Sequence, residues 1–152
     1  MLIDRARIAE LIPHAGSMCL LDAVLDYDDE RMVCSASSHR QAAHPLAHAG
    51  RLGAACAIEY AAQAMALHGA LTRLQGQRPR AGLLIGLRDT VIGAQALDSL
   101  AEDLRIEVEQ VAGGAGGVIY RFAVSAGDVS VASGRATVVL DEKELSDKEL
   151  SA

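Results

Sequence analysis

Residues 53–71, GAACAIEYAAQAMALHGAL, constrain this chain more than any other stretch. Ala, Leu and Met are strong helix formers and no proline interrupts them, so the segment predicts one long helix. It is apolar nearly all round, with Glu59, Gln63 and His68 as the main polar exceptions. A helix of that kind belongs at the centre of a fold, not on its surface. Its length approaches that of a bilayer span. A mid-helix carboxylate and a surplus of Ala over Leu and Ile make lipid insertion costly, however. The expectation is a helix surrounded by protein, with no membrane span.

The rest of the chain supplies the surroundings. Residues 3–11 have the apolar spacing of a short amphipathic helix, stopped by Pro13. Residues 18–27 and 31–37 read as two strands of a hairpin turning at Asp28-Asp29-Glu30. Residues 38–51 read as a loop, and residues 76–80, with Gly, Pro and basic side chains, close the long helix. Residues 83–87, 104–111, 118–125 and 129–140 read as strands, and the alternation Leu104-Arg105-Ile106-Glu107-Val108-Glu109 gives one of them a wet face. One curved antiparallel sheet wrapped around one long central helix satisfies both apolar surfaces at once. The predicted class is therefore α+β, a single domain over residues 1–140 followed by a charged tail at 141–152. Such a sheet has edges that commonly pair with a second copy, so a dimer is expected.

Composition removes several functions. A 152-residue chain that is 51% hydrophobic can fill a core, which excludes disorder. With 3% aromatics and a net charge of -6, it has neither the stacking platform nor the cationic surface of a nucleic-acid binder. Cys19, Cys34 and Cys56 lack the short paired spacing of a disulfide or zinc framework. They read as reduced thiols of a cytoplasmic protein, and the charged start of the chain carries no apolar leader. The glycines of residues 113–117 join two strands, so they make a hairpin and not a nucleotide loop. No GxSxG, Walker A or HExxH pattern is present, and no cofactor is implied.

Glu59 is the first candidate for chemistry, because a carboxylate among apolar helix residues is expensive unless it is paired or functional. The alternative is a structural carboxylate satisfied by a backbone amide or a sheet arginine. Gln63, one turn on, faces the same side. His44 and His48 lie fifteen and eleven positions before Glu59, in a loop that can fold back over the first helical turns. Either could meet Glu59, and either could instead be an exposed loop residue. His39, His44 and His48 match neither one helix face nor a finger, so no metal site is expected. His14, after Pro13, is expected to bond a backbone carbonyl, and Tyr60 and His68 to serve as packing residues.

Two runs carry a family resemblance. Residues 13–22, PHAGSMCLLD, resemble the PHRxPFLLVD lead into the first strand of the hotdog-fold 3-hydroxyacyl-[acyl-carrier-protein] dehydratases. Residues 59–64, EYAAQA, resemble their E-A-x-A-Q-A helix. With Gly50-Arg51-Leu52, the chain is most similar to the divergent branch associated with aryl polyene and xanthomonadin-type biosynthesis. The resemblance implies a hotdog fold and dehydration of a 3-hydroxyacyl thioester held on acyl carrier protein, by a homodimer or a hotdog heterodimer. It implies Glu59 as the carboxylate that handles the 3-hydroxyl, Ala54 as the amide donor to the thioester carbonyl, and Gln63 beside them in the substrate site. The family's G-H-F-P stretch is missing, and Pro45 stands where its histidine base belongs. His44, one position away, is therefore the expected base. A thioesterase of the same fold, or a non-catalytic subunit paired with an active dehydratase, are the alternatives.

Overall fold

The computed structural model describes residues 1–14, 16–72, 82–114 and 117–140. β1 (Ile3–Asp4) leads directly into α1 (Arg5–Leu11), which Asp4 caps by accepting the Arg7 N–H. β2 (Ala23–Tyr27) and β3 (Arg31–Ala36) form the expected hairpin. A 3-10 turn, Ala54–Cys56, opens α2 (Ala57–Thr72). β4 (Gly82–Ile92), β5 (Leu104–Gly114), β6 (Gly117–Ala126) and β7 (Val129–Leu140) follow. All pairings are antiparallel, in one seven-stranded sheet ordered β1-β2-β3-β5-β6-β7-β4.

The helix lies across β3, β5, β6 and β7. Its buried alanines, Ala57, Ala61, Ala64 and Ala70, let the backbone approach the sheet, while Met65 and Leu67 fill the remaining space. Alternation supplies the opposing surface: Tyr120, Phe122 and Val124 of β6 are buried, and Arg121 and Ala123 between them are exposed. This is the hotdog arrangement, a curved sheet around one long helix. Leu67 is fully buried, and truncating such a core leucine to alanine costs about 2–5 kcal/mol.

Three elements differ from expectation, the first being Ile3–Asp4, which pair with β2 as a strand and do not start the helix. β2 begins at Ala23 and not at residue 18, because Gly16–Met18 form a 3-10 turn and the carbonyl of Met18 and N–H of Leu20 bond the side chain of Gln63. The ladder is joined only at Asp22, whose N–H donates to the Ser35 carbonyl at 2.8 Å. β4 runs past Leu87 to Ile92, with register shifts between Leu84 and Gly86 and between Arg88 and Val91. Asp89 sits in that second bulge with φ 53°, a conformation that Asp tolerates better than most residues. Residues 76–80, the centre of the glycine hairpin and the 141–152 tail lie outside the described residues.

On the outer face, register aligns a row of charges: Arg31, Glu109, Arg121, Arg135 and Arg88 stand opposite one another across five strands. Arg121 reaches Glu109 at 3.2 Å, but Arg135 is flanked by Arg121 and Arg88. Like charges directly opposite are destabilising. Arg135→Glu should therefore raise stability by about 0.2–1 kcal/mol, seen as a higher unfolding midpoint in low salt. Because exposed charges are screened, the gain should shrink in high salt; an unchanged or lower midpoint in low salt would show that the row does not repel.

Candidate active site

Glu59 lies in the first turn of α2, where unpaired N–H groups and the helix dipole favour a carboxylate. It is not enclosed by its apolar neighbours: a third of the side chain, 33%, remains accessible. The residue that meets it is His14, whose Nε2 is 3.0 Å from Glu59 Oε1. Two elements make this pair. α1 ends as the Ile12 N–H returns to the Ile8 carbonyl, and the Pro13-His14 segment then crosses to the start of α2. The other ring nitrogen of His14, Nδ1, is buried and has no protein partner. Buried polar atoms are usually satisfied, so an unpaired one calls for an explanation.

Gln63 connects the His14 segment to the helix. Its Oε1 accepts the Leu20 N–H at 2.9 Å, and its Nε2 donates to the Met18 carbonyl at 2.6 Å and lies 3.5 Å from Glu59 Oε1. The side chain is fully buried. The amide expected in the substrate site is thus spent on backbone, and it holds the segment that carries His14. Gly16, two residues after His14, has φ +59°, which a residue with a Cβ adopts only under strain.

His44 stands apart from Glu59. Its Nδ1 accepts the Leu46 N–H at 3.0 Å, and its Nε2 lies 3.0 Å from the Tyr60 hydroxyl. Both ring nitrogens are engaged, and neither contacts Glu59. Spacing along the chain brought it to the correct helix but to the next residue, and Tyr60 points inward where Glu59 points out. Burial lowers the His44 pKa below its ordinary 6.5, with the nearby His39 adding to the effect. His39 bonds the Leu100 carbonyl at 3.1 Å and is lowered by burial as well.

The helix start is fixed from the other side. Leu52 donates its N–H to Asp98 Oδ1 at 2.9 Å, Arg51 Nε meets Asp98 Oδ2 at 2.8 Å, and the Leu97 N–H returns to the Leu52 carbonyl at 2.8 Å. The Leu52 N–H bond is the main reason that the Asp98 carboxyl is held below its ordinary range. Ala54 follows as the first residue of the turn into α2, and its N–H has no acceptor among the described residues. No group of side chains that could hold a metal ion occurs among the described residues, nor is any helix there long and apolar enough to cross a membrane. A groove of about 340 Å³ on the outer face, lined by Arg31, Glu107, Glu109 and Arg121, is behind the sheet from Glu59.

The model of the ApeP-like family, described as ApeP dehydratase, matches residues 6–148. The chain belongs to the ApeP-like dehydratase family. Comparison with curated proteins returns no match. Among solved structures, the dehydratase heterocomplex ApeI:P from Xenorhabdus doucetiae aligns over 92% of each chain at 20% identity and TM-score 0.76. Cj0977, a sigma28-regulated virulence protein of Campylobacter jejuni, aligns over 88% of this chain and 95% of its own, at 16% identity and TM-score 0.56. A hypothetical thioesterase of Streptococcus pneumoniae, solved with coenzyme A, covers 78% of this chain and 84% of its own, at 13% identity and TM-score 0.53. At these identities the structures speak for the hotdog fold.

Within this ApeP-like chain, sequence reasoning singled out Glu59 as a candidate but missed the histidine that meets it. The signal was present: His14 belongs to the PHAGSMCLLD run that carried half of the resemblance. The buried histidines also set a pH dependence. His39 and His44 have lowered pKa values when folded, so below their ordinary 6.5 the unfolded chain binds more protons. Their contribution is whole above that pH and is lost as pH falls through the folded values. Urea midpoints should drop between about pH 7 and pH 5, and less so in His44→Gln. Equal slopes in the two proteins would mean that His44 titrates alike folded and unfolded.

Proposed function

We propose that this chain dehydrates a 3-hydroxyacyl thioester carried on acyl carrier protein, in the building of an aryl-polyene-type or fatty acyl chain. The observation that carries the reading is the 3.0 Å contact between His14 and Glu59 at the mouth of the helix. Dehydration needs a base for the C2 proton and an acid for the departing 3-hydroxyl. In this reading the bound substrate parts the pair: His14 takes the C2 proton on Nε2, since Nδ1 is buried, and the carboxylic form of Glu59 protonates the hydroxyl, which leaves as water. The electrons of the C2–H bond become the C2=C3 double bond. Imidazolium and carboxylate then face each other, and one proton crossing their contact restores the starting state. The free Ala54 N–H is the donor proposed for the thioester carbonyl, which gains negative charge as the C2 proton leaves.

The ApeI:P heterocomplex supports a further part of the proposal. This chain works in a hotdog dimer, either with itself or with a second dehydratase-type chain that covers the accessible side of Glu59. Glu59→Gln and His14→Ala should each lower turnover by about two to four orders of magnitude, with the far-ultraviolet circular dichroism unchanged. Product analysis on a 3-hydroxyacyl carrier thioester should give the 2-enoyl thioester. Release of free acid would make the protein a thioesterase. Activity only with a co-purifying hotdog chain, and undiminished in both variants, would make it a non-catalytic subunit.

A further inference from the structure

Leu20 is held at both ends of its backbone. Gln63 takes its N–H, and its carbonyl accepts the Ser38 hydroxyl at 2.9 Å. Ser38 is buried and 2.6 Å from the Tyr60 hydroxyl, which is in turn 3.0 Å from His44 Nε2. The direction of this chain is determined. The Leu46 N–H occupies His44 Nδ1 as an acceptor, so the proton of the neutral ring is on Nε2 and is donated to Tyr60. Ser38 spends its only proton on Leu20, so Tyr60 must donate to Ser38. Each donor has one acceptor, and no link can be reversed without breaking another.

We infer that His44, Tyr60 and Ser38 are positioning residues, a one-way hydrogen-bond chain that sets the segment carrying His14 against Glu59. The inference rests on the dehydratase reading for what the positioned pair does, but not for the positioning itself. Residues Met18 to Leu20 are tied to α2 at three backbone atoms, two through Gln63 and one through Ser38 and Tyr60. His14 is four residues ahead of Met18, beyond the turn at Gly16. If the Leu20 carbonyl is released, that turn can rotate, and a contact of 3.0 Å between two side chains on different elements is the first thing such a rotation changes. The Leu20 carbonyl is thus the point at which His44, Tyr60 and Ser38 act on the segment that carries His14.

The test uses Tyr60→Phe, Ser38→Ala and His44→Ala, alone and in pairs, with His48→Ala as a control outside the chain. The first readout is the set of imidazole nitrogen chemical shifts of His14, with Glu59→Ala marking the shifts of an unpaired His14. The second is kcat and KM on a 3-hydroxyacyl thioester. Expected are His14 signals that move toward those of Glu59→Ala in all three variants, and kcat lowered about tenfold with KM held. Pairs should be no worse than their worse member, since residues that act as one unit are not additive. The control should match wild type in both readouts. Tyr60→Phe keeps its volume; if it does not fold, Ser38→Ala cuts the chain at the next link and decides alone. The inference is overturned if His14 signals stay as in wild type when the chain is cut. It is equally overturned if His44→Ala abolishes turnover while Tyr60→Phe and Ser38→Ala do not, since His44 would then act on substrate. A wild type inactive on every thioester would defeat the dehydratase reading, and the His14 signals would still decide the positioning.

Discussion

A primary amide sealed inside an apolar core dictates the path of the chain around it. Gln63 is fully buried, and its oxygen and nitrogen must find partners where no water is available. Leaving such a group unpaired costs about 1–3 kcal/mol. Its partners are the Leu20 N–H and the Met18 carbonyl, so this stretch cannot also join the sheet, and β2 has to begin later. The same helix carries Glu59 one turn earlier, on the side left open. One side of α2 therefore fixes a loop while the adjacent side offers a carboxylate to it, and the His14 contact is a consequence of both.

Periodicity made most of the architecture legible. The all-round apolar character of residues 53–71, broken by Glu59, Gln63 and His68, pointed to a central helix, and the alternation along residues 104–109 pointed to a strand with one wet face. What failed to show were departures imposed from elsewhere in space. The Met18–Leu21 run is as apolar as a strand, and nothing local says that a glutamine 43 positions after Leu20 will claim its N–H. Likewise Arg88-Asp89-Thr90 looks like the end of a strand. The structure continues β4 through it by bulging, because β7 offers a full-length ladder on the other side.

The site was half legible for a related reason. Glu59 could be selected by chemistry, since an ionisable group in an apolar helix needs an explanation. Its partner could not be selected by distance along the chain. His44 is close in sequence and reaches Tyr60, whereas His14 is 45 positions before Glu59 and touches it. Successive helix residues point about 100° apart, so a loop that arrives one residue late delivers its histidine to a different environment. There His44 encounters a hydroxyl and not a carboxylate, and burial keeps it neutral.

The exposure of the His14–Glu59 pair has a physical implication for how it can work. In water a proton shared by imidazole and carboxylate gains little, because solvent screens the charges; at lower effective dielectric the same separation is worth several-fold more. In this chain 26% of the His14 side chain and 33% of that of Glu59 are accessible, so water reaches the contact from one side. The other sides are closed by α2, by the Gln63-tied loop and by the core beneath. Any group seated over the open side would exclude that water. The pair is thus held in place by its own chain, and its electrostatic attraction strengthens wherever water is kept from the open side.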